Sequence, residues 1–124
     1  MSRAFKTRTF ARWAKKSGLD DDALSQAVKE MDGGLVDARL GGNLVKKRIA
    51  LGSAGKRGGA RVIVATNFGG RWYFLYGFEK NERDNISLKE LNAFQITAAA
   101  LLKMNDASIQ KAITLNEIEE INHD

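Results

Sequence analysis

The chain has 124 residues, 44% of them apolar and 28% charged, which is typical of one folded domain and argues against wholesale disorder. It contains no cysteine, so disulfides and thiol catalysis are excluded, and no apolar run reaches the roughly 18–20 residues of a membrane span. The N-terminus lacks the apolar core of a signal peptide, so we expect a cytoplasmic protein that does not associate with membranes.

The first third of the chain predicts a short strand followed by two helices. Residues 1–8 read as a strand, and Thr9 is the candidate cap of a helix over residues 10–16. Gly18 ends that helix, and three consecutive aspartates then open a second helix over residues 20–31. We interpret these aspartates as helix capping rather than as metal ligands, because no histidine or second carboxylate cluster completes a site.

The middle of the chain predicts an antiparallel meander of three or four strands. The predicted strands cover residues 35–40, 44–51, 61–65 and 72–78, separated by glycine-containing turns or loops. Successive side chains of a strand point to opposite faces of the sheet.

This alternation predicts which side chains share a face. In the second strand, Lys46 and Arg48 share one face and Lys47 lies on the other. In the fourth, the same rule puts Tyr73 and Leu75 on one face and these aromatic residues on the other: Trp72, Phe74, Tyr76 and Phe78. We expect most of these rings to pack under the helix predicted over residues 88–104, while one or two remain available for base stacking.

The C-terminal part predicts two helices. The first covers residues 88–104, with Ser87 as its cap and Glu90 completing a capping box. The second is acidic and covers residues 108–122. We therefore expect an α+β fold in a single domain over residues 1–124, in which residues 106–124 form an acidic helix or tail. That tail either packs on the surface or shields the basic part of the chain.

Positive charge is concentrated in residues 38–78, which contain no acidic residue. The stretch carries eight basic residues: Arg39, Lys46, Lys47, Arg48, Lys56, Arg57, Arg61 and Arg71. The rest of the chain has twelve basic and fifteen acidic residues, so the net charge of +5 is a local excess. A patch of one sign beside glycine-rich backbone favours a polyanionic partner, first of all nucleic acid. Chance clustering of solvated side chains is the alternative.

Several kinds of catalytic site lack their parts. The single histidine, His123, stands one residue from the end of the sequence, so zinc sites and Ser–His catalysis are not expected. The glycine-rich run 52–59 lacks the glycine–lysine–serine/threonine pattern of a phosphate-binding loop. We therefore expect neither a metal nor another cofactor.

A cluster of cations on neighbouring strands is suited to one kind of reaction on RNA. It would stabilise the dianionic phosphorane that forms when a ribose 2′-OH attacks the adjacent phosphodiester, and only RNA has that nucleophile. Neighbouring cations also lower the pKa of a lysine, which would let one lysine act as general base. Phosphate binding without catalysis is an equal alternative.

Four runs of residues resemble the RelE-type toxins of bacterial toxin–antitoxin modules, in particular the branch related to HigB. They are Val36-Asp-Ala-Arg-Leu-Gly-Gly42, Lys46-Lys-Arg-Ile49, Gly55-Lys-Arg-Gly-Gly-Ala-Arg-Val-Ile63 and Tyr76-Gly-Phe-Glu-Lys-Asn-Glu-Arg-Asp-Asn-Ile86. The resemblance in order and spacing covers about residues 3–105. It implies a small fold in which helices pack on a curved antiparallel sheet. It also implies metal-free cleavage of messenger RNA in the ribosomal A site, ending in a 2′,3′-cyclic phosphate.

The resemblance assigns roles to individual residues. Contact with the scissile phosphate falls on Lys46 or Lys47 together with two arginines, and Lys80 stands where the best-known relatives carry an arginine. The catalytic assignments are Lys47, Arg48, Arg61 and Lys80. The RNA-binding assignments are Lys46, Lys56, Arg57 and Arg83. The tyrosine that some relatives use is not matched, because Ser87 occupies about that place. The general base therefore remains unassigned.

The resemblance also implies partners. A cognate antitoxin, which in some modules carries a helix-turn-helix DNA-binding domain, would cover the basic surface, and the ribosome and messenger RNA would be the targets. Operator DNA would be reached only through the antitoxin. Two alternatives remain: a basic module that binds RNA or the ribosome without cutting, and a regulator that acts through its antitoxin complex in transcription.

Overall fold

One mixed β-sheet organises the part of the chain that the computed structural model describes, residues 2–51 and 59–122. Its strands are β1 (Arg3–Thr7), β2 (Ala38–Gly41), β3 (Leu44–Ile49), β4 (Ala60–Ala65), β5 (Arg71–Glu79) and β6 (Ile118–Glu120), in the spatial order β2-β3-β4-β5-β1-β6. The meander β2–β5 is antiparallel as predicted, but β1 joins β5 in parallel and β6 joins β1. The α+β class is confirmed, whereas the predicted sheet of three to four antiparallel strands is wrong.

Helices cover both faces of this sheet. They are α1 (Arg8–Ser17), α2 (Asp21–Asp32), α3 (Leu88–Leu102) and α4 (Asp106–Thr114). Phe10 of α1 and Leu24 of α2 pack with Val62 in one cluster, which defines the α1–α2 face. Ala98 of α3 and Ile109 of α4 pack in a second cluster, which defines the α3 face. None of the helices within the described residues is both long and apolar enough to cross a membrane.

The helix ends largely follow their capping residues. The hydroxyl of Thr7, rather than the predicted Thr9, accepts the N–H of Phe10 and caps α1. Gly18 ends α1 in the left-handed conformation, with φ 78°. Asp20 caps α2 through the N–H of Ala23 at 2.9 Å, which confirms the capping interpretation of the aspartates. The capping box at the start of α3 is also confirmed.

The C-terminal segment departs from its prediction. The predicted helix over residues 108–122 is wrong beyond Thr114, where α4 ends, because β6 pairs instead with the outer edge of β1. Buried Ile118 and Ile121 anchor this strand, and both the Nε and Nη2 atoms of Arg3 hydrogen-bond to the Glu120 carboxylate at 2.9 Å. β4 and β3 lie three and four positions away from β6 in the sheet, respectively, so β6 does not cover them.

A bulge in the β4–β5 pairing reverses the side-chain alternation of β5. Ile63 pairs with Tyr76 and Val64 pairs with Phe74, so one residue of β5 is extra. Trp72 and Phe74 therefore belong to the α1–α2 face, whereas Tyr76 packs on the α3 face. The prediction that the four alternating aromatic residues share one face is therefore wrong, because a bulge is not visible in a residue pattern. Trp72 and Phe74 also pack under α1 and α2, not under the helix predicted over residues 88–104.

Candidate functional site

Arg48 and Arg61 lie directly opposite each other on the neighbouring strands β3 and β4. Paired residues of an antiparallel sheet share a face, with Cβ atoms about 4.5–5.5 Å apart. Phe78 of β5 is the register partner of Arg61 on its other side and lies on the same face. The predicted placement of the two arginines on adjacent strands is therefore confirmed.

Two lysines extend this arrangement on the same face. Lys46 pairs with Ile63, a residue of the α3 face, and stands two positions before Arg48. The backbone N–H of Lys80 donates to the Gly59 carbonyl at 3.1 Å, which continues the β4–β5 ladder and places Lys80 two positions after Phe78. We call this set the cationic strip: Lys46, Arg48, Arg61 and Lys80.

Members of the cationic strip differ in exposure. Arg61 is buried, with 7% of its surface accessible. Arg48 is half exposed, and its Nε lies 3.6 Å from Asp37 Oδ1. Lys80 Nζ lies 3.4 Å from Oδ1 of Asp84, a side chain that is almost fully exposed. Because exposed pairs contribute only about 0–1 kcal/mol, an anionic ligand can replace either carboxylate.

Lys47 lies on the opposite face of the sheet from the cationic strip. It pairs with Val62, a residue of the α1–α2 face, and only 1% of it is accessible. Its Nζ lies 2.7 Å from Glu30 Oε1 of α2. The side-chain alternation predicted for β3 is thus confirmed, and it separates Lys47 from Arg48 and Arg61.

Arg83 holds the loop between β5 and α3 in place. Its Nη1 and Nη2 hydrogen-bond to the two carboxylate oxygens of Glu90 at 3.1 and 2.6 Å, and Nη1 also donates to the Tyr76 hydroxyl at 2.9 Å. Its Nε donates to the Asn85 carbonyl at 3.0 Å. A guanidinium has five N–H donors, so four are engaged within the protein. This leaves Arg83 suited mainly to a positioning role.

The Arg83–Glu90 contact shifts both ionisation equilibria toward the charged forms. Hydrogen bonding from Arg83, followed by the backbone N–H of Ser87, lowers the pKa of Glu90 from 4.5 to about 2. The hydrogen bond with Glu90 also raises the pKa of Arg83. We call this ion pair the Arg83–Glu90 clamp. Both of its side chains are charged near neutral pH.

Tyr76 also lies on this surface, although the sequence assigned it no catalytic or RNA-binding role. The bulge brings it onto the face of Arg61, where its ring lies 5.3 Å from that of Phe94 and 6.2 Å from that of Phe78. Its hydroxyl accepts from Arg83, so its own proton remains available for donation. Ser87, at the place of the missing tyrosine, caps α3 by accepting the N–H of Glu90 at 3.1 Å.

Three residues singled out in the sequence lie outside the described residues: Lys56, Arg57 and His123. Their assignments stay predictions. Within residues 2–51 and 59–122, no group of three or more acidic, histidine or cysteine side chains is arranged to hold a metal ion.

Comparison with known proteins adds one match. The model of a protein family described as the RelE toxin of the RelE/RelB toxin–antitoxin system matches residues 2–121. No curated protein matches the chain.

Proposed function

This chain belongs to the RelE toxin family, and from that premise we propose that it is an endoribonuclease that cuts messenger RNA on the ribosome. Membership of the family makes it the toxin of a toxin–antitoxin module and implies a cognate antitoxin. The observation that supports the proposal most is the opposed pair Arg48 and Arg61 on strands without acidic residues.

The proposed reaction is an attack within the RNA itself. The ribose 2′-oxygen forms a bond to the adjacent phosphorus and loses its proton, while the bond from phosphorus to the 5′-oxygen breaks and that oxygen gains a proton. The products are a 2′,3′-cyclic phosphate and a 5′-hydroxyl. Charge builds up on the phosphorane oxygens, so preorganised cations near them lower the barrier.

We assign the parts of this reaction to the cationic strip. Arg61, fixed by burial, and Arg48, exposed opposite it, stabilise the phosphorane. Lys46 and Lys80 bind the phosphates on either side, because they share this face of the sheet. We assign to Tyr76 the donation of a proton to the leaving oxygen, because its hydroxyl proton is not used in the hydrogen bond that it accepts from Arg83. Lys47 takes no part in this scheme, since its ammonium lies behind the sheet with Glu30.

The protein would then act in the cytoplasm, where its targets are, and its antitoxin would inhibit it by covering the site. An acidic or amphipathic antitoxin segment laid over the cationic strip would exclude RNA both sterically and by charge. A helix-turn-helix domain, if the antitoxin has one, would carry the complex to operator DNA.

The test is cleavage of a translated messenger RNA by the purified protein, with the 5′ ends mapped. We expect discrete cuts within codons, a loss of at least about 100-fold with Arg61→Ala, and partial retention with Arg61→Lys. Lys111→Ala, which removes an exposed charge on α4, is the matched control and should cut normally. A single 2′-deoxy substitution at the cut site should abolish cleavage there.

The rival functions give different results. Intact RNA with arrested translation would favour a module that blocks the ribosome without cutting. Cuts that survive Arg61→Ala unchanged in a folded protein would move the chemistry away from the cationic strip. Unaffected translation, with operator binding by the antitoxin complex, would favour the regulator.

A further inference from the structure

A cavity of about 370 Å³ lies beside the cationic strip, between α1 and the end of β5. Its lining includes Phe10 and Trp13 of α1, Tyr76 and Phe78 of β5, and Glu82 and Arg83 of the following loop. Because Phe78 is the register partner of Arg61, the cavity begins one side chain away from the proposed scissile phosphate. Its volume falls within the range of about 300–1,000 Å³ of small-molecule pockets.

The cavity exists because β5 runs on beyond its partner. β1 pairs with β5 only as far as Phe74, and the chain then turns into α1. The rest of β5 therefore borders α1 instead of another strand. Trp13 closes over this border, where a Cβ atom at Gly77 would overlap its ring. Trp13 is only partly buried, and it lines the cavity.

The charged groups of the lining differ in what they can still bind. The Arg83 guanidinium lies 5.8 and 5.7 Å from the ring centroids of Tyr76 and Phe78, and four of its donors are engaged by protein atoms. Glu82 is exposed, and among the described residues no cation pairs with it. A carboxylate accepts hydrogen bonds and donates none when ionised. The cavity thus combines aromatic rings with one acceptor group that remains available.

We infer that this cavity binds a guanine base of the RNA, next to the phosphate that is cut. The inference rests on the proposed function and deepens it by naming the base. Aromatic side chains stack on any base, which supplies affinity without selection. Glu82 supplies the selection, because guanine offers two parallel donors, N1–H and the N2 amino group, to one carboxylate. Adenine and cytosine offer a single amino group at that edge, and uracil offers one imino N–H.

Binding is tested without reference to cleavage, by nuclear magnetic resonance of the ¹⁵N-labelled full chain with the four nucleoside 5′-monophosphates. The chain has two tryptophans, so two indole N–H signals are expected, and Trp13→Phe assigns them. Trp13 lines the cavity, whereas Trp72 is fully buried in the core and serves as the internal control. All four nucleotides carry the same phosphate, so a difference among them reports the base.

We expect guanosine monophosphate to shift the Trp13 signal saturably while the Trp72 signal stays in place. Glu82→Gln should raise the Kd for guanosine monophosphate at least fivefold and leave that for uridine monophosphate unchanged. In the cleavage assay, the same variant should lose the preference for guanine beside the cut, so that sites flanked by guanine are cut no faster than sites flanked by the other bases.

Opposite results are distinguishable. An unmoved Trp13 signal, or equal shifts with all four nucleotides, overturns the inference. Cleavage that shows no preference at the flanking bases also overturns it, while the proposed function stands. Selective binding of guanosine monophosphate by a protein that cuts no RNA upholds the cavity as a guanine site and overturns the proposed endonuclease.

Discussion

Lys47 Nζ and Glu30 Oε1 lie 2.7 Å apart, in an ion pair that joins β3 to α2 beneath the sheet. The Lys47 side chain is only 2% exposed and that of Glu30 is 21% exposed. Two consecutive lysines of β3 thus point to opposite faces of the sheet: Lys46 lies on the proposed RNA surface, and Lys47 lies in the core.

Removing the carboxylate of this pair should destabilise the protein strongly. Glu30→Ala leaves the Lys47 ammonium buried without that partner, and breaking a buried pair in this way costs about 3–5 kcal/mol. Urea unfolding followed by circular dichroism measures the change. The double variant Glu30→Leu/Lys47→Met should recover most of the loss, because it removes both charges of the pair. A loss below about 1 kcal/mol in Glu30→Ala would show that the pair is open to water.

Substitutions of Lys46 and Lys47 should affect the cleavage rate differently. Lys46→Met should reduce cleavage at least about tenfold with unfolding unchanged, since it removes a cation from the cationic strip. Lys47→Met is the matched control, one residue away and with the same change in charge. It should retain most of its activity, measured on the folded fraction. The reverse pattern would return the catalytic assignment to Lys47.

Acid should weaken the clamp between Arg83 and Glu90. The pKa of Glu90 in the fold, about 2, lies below its ordinary 4.5, so the carboxylate stabilises the fold above pH 4.5. That contribution is lost as the pH falls from 4.5 toward 2. The melting temperature of the wild type should therefore fall more steeply over this interval than that of Glu90→Gln. The effect is modest, because both side chains are about one third exposed.

A variant of another carboxylate controls for the effect of low pH on the rest of the protein. Glu117→Gln alters an exposed residue that forms no ion pair with any other residue that the structure describes. Its melting curve should follow that of the wild type at every pH. If the melting temperatures of the wild type and Glu90→Gln fall in parallel with pH, the Arg83–Glu90 clamp does not stabilise the fold.

Gly77 should tolerate no side chain. Because a Cβ atom there would overlap the Trp13 ring, Gly77→Ala should destabilise the protein by about 1–3 kcal/mol. Gly33→Ala is the control, since its added Cβ meets only ordinary contacts at 3.5 and 3.6 Å. The double variant Gly77→Ala/Trp13→Leu replaces the ring by a smaller side chain. It should regain part of the lost stability, as measured by thermal unfolding. If Gly77→Ala leaves the stability unchanged, the Trp13 ring does not pack against β5 at Gly77.

Much of the site followed from local pattern. The alternation in β3 separated Lys46 and Arg48 from Lys47, and the antiparallel order of β3, β4 and β5 placed Arg61 between Arg48 and the loop of Lys80. Period-two alternation and hairpin connectivity are properties of short segments, so they can be read from the residues. The family resemblance also held, over almost the entire chain.

Sequence alone thus determined the class of fold, the helix caps at Asp20 and Ser87 and the concentration of positive charge on two neighbouring strands. Tertiary structure decided the rest. The parallel β1–β5 pairing and the β6 edge join segments far apart in the chain, and the bulge that turns Tyr76 toward Arg61 depends on how β4 and β5 align. Such contacts are stabilised by burial and by backbone hydrogen bonds between distant segments, which no local pattern specifies.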